Sequence, residues 1–168
     1  NIGTAQVLPA VMAAMYAVYH GPEGLRRIAR RAHQLTRLLA AGLERLGYHL
    51  AHHIYFDTVR IELGDRDDSA IRAAAEARRM NLRWLGSSTV VVALDEVTNE
   101  AEVAQLWEIF NAGQPAGFTL ETMADQIPPD VPPAIARGRP FLPHPVFPRY
   151  HSETEILPSR PRCESQGS

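Results

Sequence analysis

Residues 4–19, TAQVLPAVMAAMYAVY, carry apolar side chains on every side of a helical wheel; Thr4 can cap this helix, and Pro9 lies near enough its start to be tolerated. A helix with no polar face is expected to be buried. Gly21-Pro22 punctuates the pattern, and a longer helix follows to Leu46. In it Leu25, Ile28, Ala32, Leu35, Leu39, Leu43 and Leu46 recur at helical spacing, while Arg26, Arg27, Arg30, Arg31 and Arg37 fall largely on other faces. Gly47 supplies a left-handed stop. The period then changes. In YFDTVRIEL (55–63), Val59, Ile61 and Leu63 alternate with Arg60 and Glu62, which predicts a half-buried strand. Asp67 or Asp68 caps an alanine-rich helix over 69–79. LRWL and TVVVAL read as two short strands separated by Gly86-Ser87-Ser88. Thr98 or Asn99 caps a last helix through Phe110, with Val103, Leu106, Trp107 and Phe110 on one face and Asn111-Ala112-Gly113 as its stop.

Two helices, a strand, a helix, a strand pair and a helix make an α+β fold. Its helices should cover one face of a small, mostly antiparallel sheet. From Pro128 to Pro148 the prolines leave no room for a ladder or a long helix. That stretch is expected to run as an extended connector pinned by Phe141, Leu142, Val146 and Phe147.

Composition narrows the chemistry. The 168 residues, 45% of them hydrophobic, can hold one domain with a core, and a net charge of −2 gives no reason to expect nucleic acid as a partner. No apolar run approaches the length of a membrane span. Cys163 is the single cysteine, which excludes an internal disulfide and fits a reducing compartment. The chain opens at Asn1 rather than methionine, so an upstream part is expected. All 17 basic side chains are arginine. With no lysine there is no amine for a Schiff base, and lysine-based covalent chemistry is excluded for this chain.

Three polar groupings invite functional readings. The segment RRIARRAH leaves the apolar face uninterrupted and reads as a solvated helix face rather than a nucleic-acid or membrane patch. His49, His52, His53 and Asp57 lack a further Cys or carboxylate at zinc spacing, and strand alternation sends His52 and His53 to opposite sides, so no metal is expected. The densest grouping is His144, Tyr150, His151, Ser152 and Glu153. Ser152 and Glu155 also have capping-box spacing, with Tyr150 near the staple position, so these residues either start a helix or line a cleft or interface. Spacing identifies no nucleophile, base and orienting group among them.

Several stretches together resemble one family. NIGTAQVLPAVMAAMYAVYHGPEGLRRIARRAHQLT, FDTVRIEL, ALDEVTNEAEV, WEIF and RPFLPHPVFPRYHSETE, in this order, are similar to the glycine dehydrogenase (decarboxylating), or P-protein, of the glycine cleavage system. The resemblance covers residues 1–156. It implies a pyridoxal-phosphate enzyme of the aspartate-aminotransferase-like fold (fold type I) that takes glycine, releases carbon dioxide and passes the aminomethyl group to the lipoyl arm of H-protein. It also implies two related halves with the Schiff-base lysine in the second. This chain would then be the end of the first half, from a bacterial cytoplasm. Residues 1–20 would be the apolar helix at the junction of large and small domains, 21–113 the small α+β domain, and 114–156 a linker toward the lysine-bearing half. The family continues after Glu155 into a basic helix, whereas LPSRPRCESQGS follows here, so 157–168 reads as non-native or frameshifted sequence. No catalytic residue is carried over, no covalently bound cofactor is expected, and His144, Tyr150, His151, Ser152 and Glu153 are assigned to a cleft or interface. Two alternatives compete: a non-catalytic assembly or regulatory module that binds a P-protein-like subunit, and a fragment of another fold-type I enzyme, which the HSETE segment disfavours.

Overall fold

A computed structural model describes residues 6–127 and 131–149. The described residues divide into two compact units, one built on residues 6–28 together with 137–149, the other on residues 29–127 with 131–136.

Helix α1 (Val7–Arg45) is interrupted at Gly21, whose φ of 61° and ψ of 178° lie outside helical space, immediately before Pro22. The glycine supplies a conformation that a side chain resists, and the proline cannot donate to the preceding turn. The two helices expected from the sequence are therefore present and meet at the expected punctuation. The N-terminal part departs from expectation in its environment. Val7, Leu8 and Met12 are more than 60% exposed, and Val11 and Met15 are exposed as well. Within the larger unit, Leu35, Leu39 and Leu43 of α1 and the helices described next fill the apolar face of the sheet.

The larger unit is an α+β layer. Strands β1 (His49–Leu50), β2 (Thr58–Glu62), β3 (Arg83–Trp84) and β4 (Thr89–Ala93) form one antiparallel sheet in the order β1-β2-β4-β3. The β2–β4 register sets Val59 against Val92 and Ile61 against Val90. All four side chains are at most 4% exposed, so one face of the sheet is continuous core. Helix α2 (Asp68–Ala77) contributes Ile71, Ala74 and Ala75, and α3 (Glu100–Phe110) contributes Val103, Leu106, Trp107, Ile109 and Phe110. A short α4 (Leu120–Ala124) adds Met123. Each fully buried Leu, Ile or Val stabilises by roughly 1.5–3 kcal/mol relative to exposure, before chain entropy is subtracted.

The helix ends follow local chemistry. At the end of α1, Tyr48 N–H donates to Leu43 O at 3.0 Å and Gly47 N–H to Glu44 O at 2.9 Å, with Gly47 at φ 81°. This is a Schellman stop. Asn99 is the N-cap of α3, accepting from Glu102 N–H at 3.1 Å while the Glu102 carboxylate accepts from Asn99 N–H at 2.8 Å. Thr98 instead closes the turn before the helix, where its N–H and hydroxyl both donate to Asp95 Oδ1, at 3.0 and 2.8 Å.

Candidate functional site

Of the five residues assigned to a cleft or interface, His144 lies within the described residues; Tyr150, His151, Ser152 and Glu153 lie outside them. His144 belongs to the smaller unit and is exposed. Its Nδ1 accepts from Val146 N–H at 3.3 Å, and its carbonyl accepts from Phe147 N–H at 3.1 Å. The imidazole thus closes a local turn. Nearby in sequence, Phe141 has the Arg26 guanidinium 5.1 Å from its ring centroid and that of Arg137 at 5.4 Å, a double cation–π contact. Arg26 also pairs with Glu23 one turn earlier in α1. Helical spacing places Arg26 only off the apolar face. It gives no signal of Phe141, because the two meet through tertiary structure.

In the larger unit two open depressions line the surface. One, of about 430 Å³, is bordered by Arg72, Glu76, Arg79, Met80, Asn81 and Trp84 among others. Arg72 is engaged on three sides: Nε donates to Asp68 at 2.9 Å, a terminal nitrogen to Gly86 O at 3.4 Å, and the guanidinium lies 3.7 Å over Trp84. The other, of about 310 Å³, is lined by Trp107, Glu108, Phe118, Thr119 and the 115–117 turn. The first lacks a nucleophile; the second is lined by both Glu108 and Thr119, but the Thr119 hydroxyl oxygen accepts from Thr122 N–H at 3.4 Å as the cap of α4. Among the described residues no three His, Cys, Asp or Glu side chains gather as a metal site would require, and His49, His52 and His53 are exposed along their segment.

Two tyrosines in this unit are shifted by burial. The Tyr48 hydroxyl donates to Phe110 O at 2.7 Å, and burial pushes its pKa up, opposed by the Arg66 guanidinium 4.2 Å over its ring. Burial likewise raises that of Tyr55, with Glu44 adding to the effect and Arg37 opposing it. The one group that contradicts the solvated reading of RRIARRAH is His33. Arg27, Arg30 and Arg31 are exposed, but His33 is only 2% exposed. Its ring contacts the 55–58 segment, which helical periodicity within residues 26–33 cannot reveal.

No catalytic residue is assigned among the described residues, and the whole chain contains no lysine. The family model for the glycine cleavage system P-protein nevertheless matches residues 1–110. The chain belongs to that P-protein family. Its α+β layer is thus part of a family of fold-type I pyridoxal-phosphate enzymes. Glycine dehydrogenase (decarboxylating) of Nostoc punctiforme is 46% identical over 171 residues, covering 99% of this chain and 18% of its own length. That of Rhodopseudomonas palustris is 48% identical over 157 residues, covering 94% and 16%. The mitochondrial glycine dehydrogenase (decarboxylating) 1 of Arabidopsis thaliana is 43% identical over 158 residues, covering 94% and 15%. The chain therefore spans less than a fifth of the length of these P-proteins. Pyridoxal phosphate does not fit the residues present as a covalently held group: a Schiff base needs a lysine amine that this sequence lacks, and Arg72, one of two arginines lining the first depression, is already committed to Asp68 and Trp84. Among the described residues no helix is long and apolar enough to cross a membrane.

Proposed function

We propose that this chain is the small-domain portion of the first half of a glycine-decarboxylating P-protein, and that it is inactive without the lysine-bearing remainder. In the complete enzyme, pyridoxal phosphate bound elsewhere takes up the electrons left when glycine loses its carboxyl group. The aminomethyl group then passes to the lipoyl arm of H-protein. In this reading residues 21–113 are a structural α+β domain. Residues 1–20 pack at the junction with the large domain, and 114–156 lead toward the second half. The observation that carries it is the 43–48% identity to glycine dehydrogenases over 94–99% of a chain that has no lysine. The exposed Val7, Leu8, Val11, Met12 and Met15 supply an apolar surface for a covering domain.

The test is reconstitution. Purified alone and mixed with pyridoxal phosphate, the chain is expected to yield no adduct that borohydride can trap and no exchange of the glycine carboxyl with bicarbonate. A lysine-bearing remainder should regain exchange only when this chain is added. Exchange by the isolated chain would overturn the inactivity. A remainder that binds this chain without any gain of exchange would favour the assembly or regulatory alternative.

A further inference from the structure

We infer that His33 is a tautomer-locked latch, a positioning residue that holds the chain approaching β2 against α1. The inference is independent of the glycine-cleavage reading. His33 Nδ1 lies 2.8 Å from the carbonyl oxygen of Phe56, and its ring stacks on the Phe56 ring at 5.2 Å with planes 10° apart. A carbonyl oxygen can only accept, so Nδ1 carries the proton and donates it. Nε2 of the neutral ring is then a bare acceptor. It is shut off from solvent and has no hydrogen-bond partner among the described residues.

That orphaned lone pair weighs against the histidine as a mere filler. Leaving a buried acceptor unpaired costs at least as much as an ordinary hydrogen bond returns. An apolar side chain of similar size would avoid the loss. The return comes from what the bond fixes. Phe56 is followed by Asp57, whose carbonyl accepts from Leu94 N–H at 2.9 Å, and Thr58 opens the β2–β4 ladder opposite Ala93. The imidazole therefore ties α1 to the end of the central strand pair, where the ladder has no further rungs to hold it. The Nε2–H tautomer would turn a lone pair toward the Phe56 oxygen, so of the two neutral tautomers only the Nδ1–H form fits the contact.

Two experiments on the full chain test the latch. Long-range proton–nitrogen spectra of the labelled imidazole, in solution or in the solid state, should show a protonated Nδ1 and a bare Nε2. The opposite tautomer, or a mixture, would overturn the latch. Amide exchange should then separate two isosteres. In His33→Asn the side-chain amide overlies Nδ1 and should keep the Leu94 amide, bonded to Asp57 O, protected. In His33→Gln the amide overlies Nε2, and exchange there should quicken by about ten-fold or more, while Ile71 in α2 is unchanged. Equal protection in both variants would overturn the inference. Should neither variant fold, the tautomer of the unaltered chain still decides between the two outcomes.

Discussion

Gly42 shows how a residue can contradict its own propensity for good reason. Alanine in a helix interior is normally better than glycine by about 1 kcal/mol. At this position an added Cβ would stand 2.1 Å from Trp107 Nε1 and 2.2 Å from Cε2. The indole has nowhere to go: it is 1% exposed, and Nε1 donates to Leu39 O at 3.1 Å. Gly42→Ala should therefore destabilise the larger unit by about 1–3 kcal/mol, as overpacking does, despite the gain in propensity. Chemical denaturation of both proteins checks this, and a variant as stable as the parent would refute the wedge. In sequence Gly42 looks like a weak point of a leucine-lined helix, because its reason lies in a tryptophan far along the chain. The same holds for His33, which helical spacing groups with solvated arginines. By contrast Val59, Ile61 and Leu63 are legible, since their alternation with Arg60 and Glu62 is itself the geometry of a half-covered strand.

At the level of elements, the turn between β4 and α3 carries a pH dependence that follows from its hydrogen bonds. Hydrogen bonds from Thr98, the hydroxyl first, hold the Asp95 carboxyl below the usual carboxylate range, with the Val97 N–H contributing. A carboxyl held low in the folded state favours folding above its unfolded value, about pH 4, and that contribution is lost as pH falls through the folded value. The turn should therefore stay closed through neutral pH and loosen only in acid. Thr98→Val removes the hydroxyl, so the Asp95 titration followed by carbon NMR should move up toward the ordinary carboxylate value. An unmoved titration would assign the effect elsewhere. Sequence leaves the cap of α3 open between Thr98 and Asn99; the structure gives the cap to Asn99 and the preceding turn to Thr98. Helix stops are legible where glycine marks them, as at Gly47. The stop of α3 is legible too, in Asn111-Ala112-Gly113, although Ala112 at φ 53° shares the left-handed conformation with Gly113; the stop of α2, where Arg79 at φ 55° takes that position, carries no such mark. β1 escapes a sequence reading because its two residues lack the flanking leucines that mark the equally short β3 in LRWL, and α4 because five residues cannot display helical periodicity.

Across the molecule, arginine does two things that its abundance alone does not announce. It denies the chain a Schiff-base amine, and it stacks on aromatic rings: Arg72 on Trp84 at 3.7 Å, Arg66 on Tyr48 at 4.2 Å, Arg45 on Phe118 at 5.2 Å. The first consequence follows from the missing lysine; the second needs the fold. The same division applies to the apolar stretch at residues 7–15. Its composition announces a buried helix, yet Leu8 is 68% and Met12 63% exposed, with Val7, Val11 and Met15 beside them. Such a run of large apolar side chains in water favours association with any apolar surface, including its own copies. The purified chain should therefore elute as higher-order species whose proportion rises with concentration. Leu8→Gln with Met12→Gln should shift it toward monomer, because the two substitutions remove the most exposed ridge of the stripe without touching the β2–β4 core. Light scattering during size exclusion reads the mass, and circular dichroism confirms that the larger unit is unchanged. A parent chain that stays monomeric at every concentration would show that this stripe does not drive self-association. If the parent associates and the double variant does so equally, another surface is responsible.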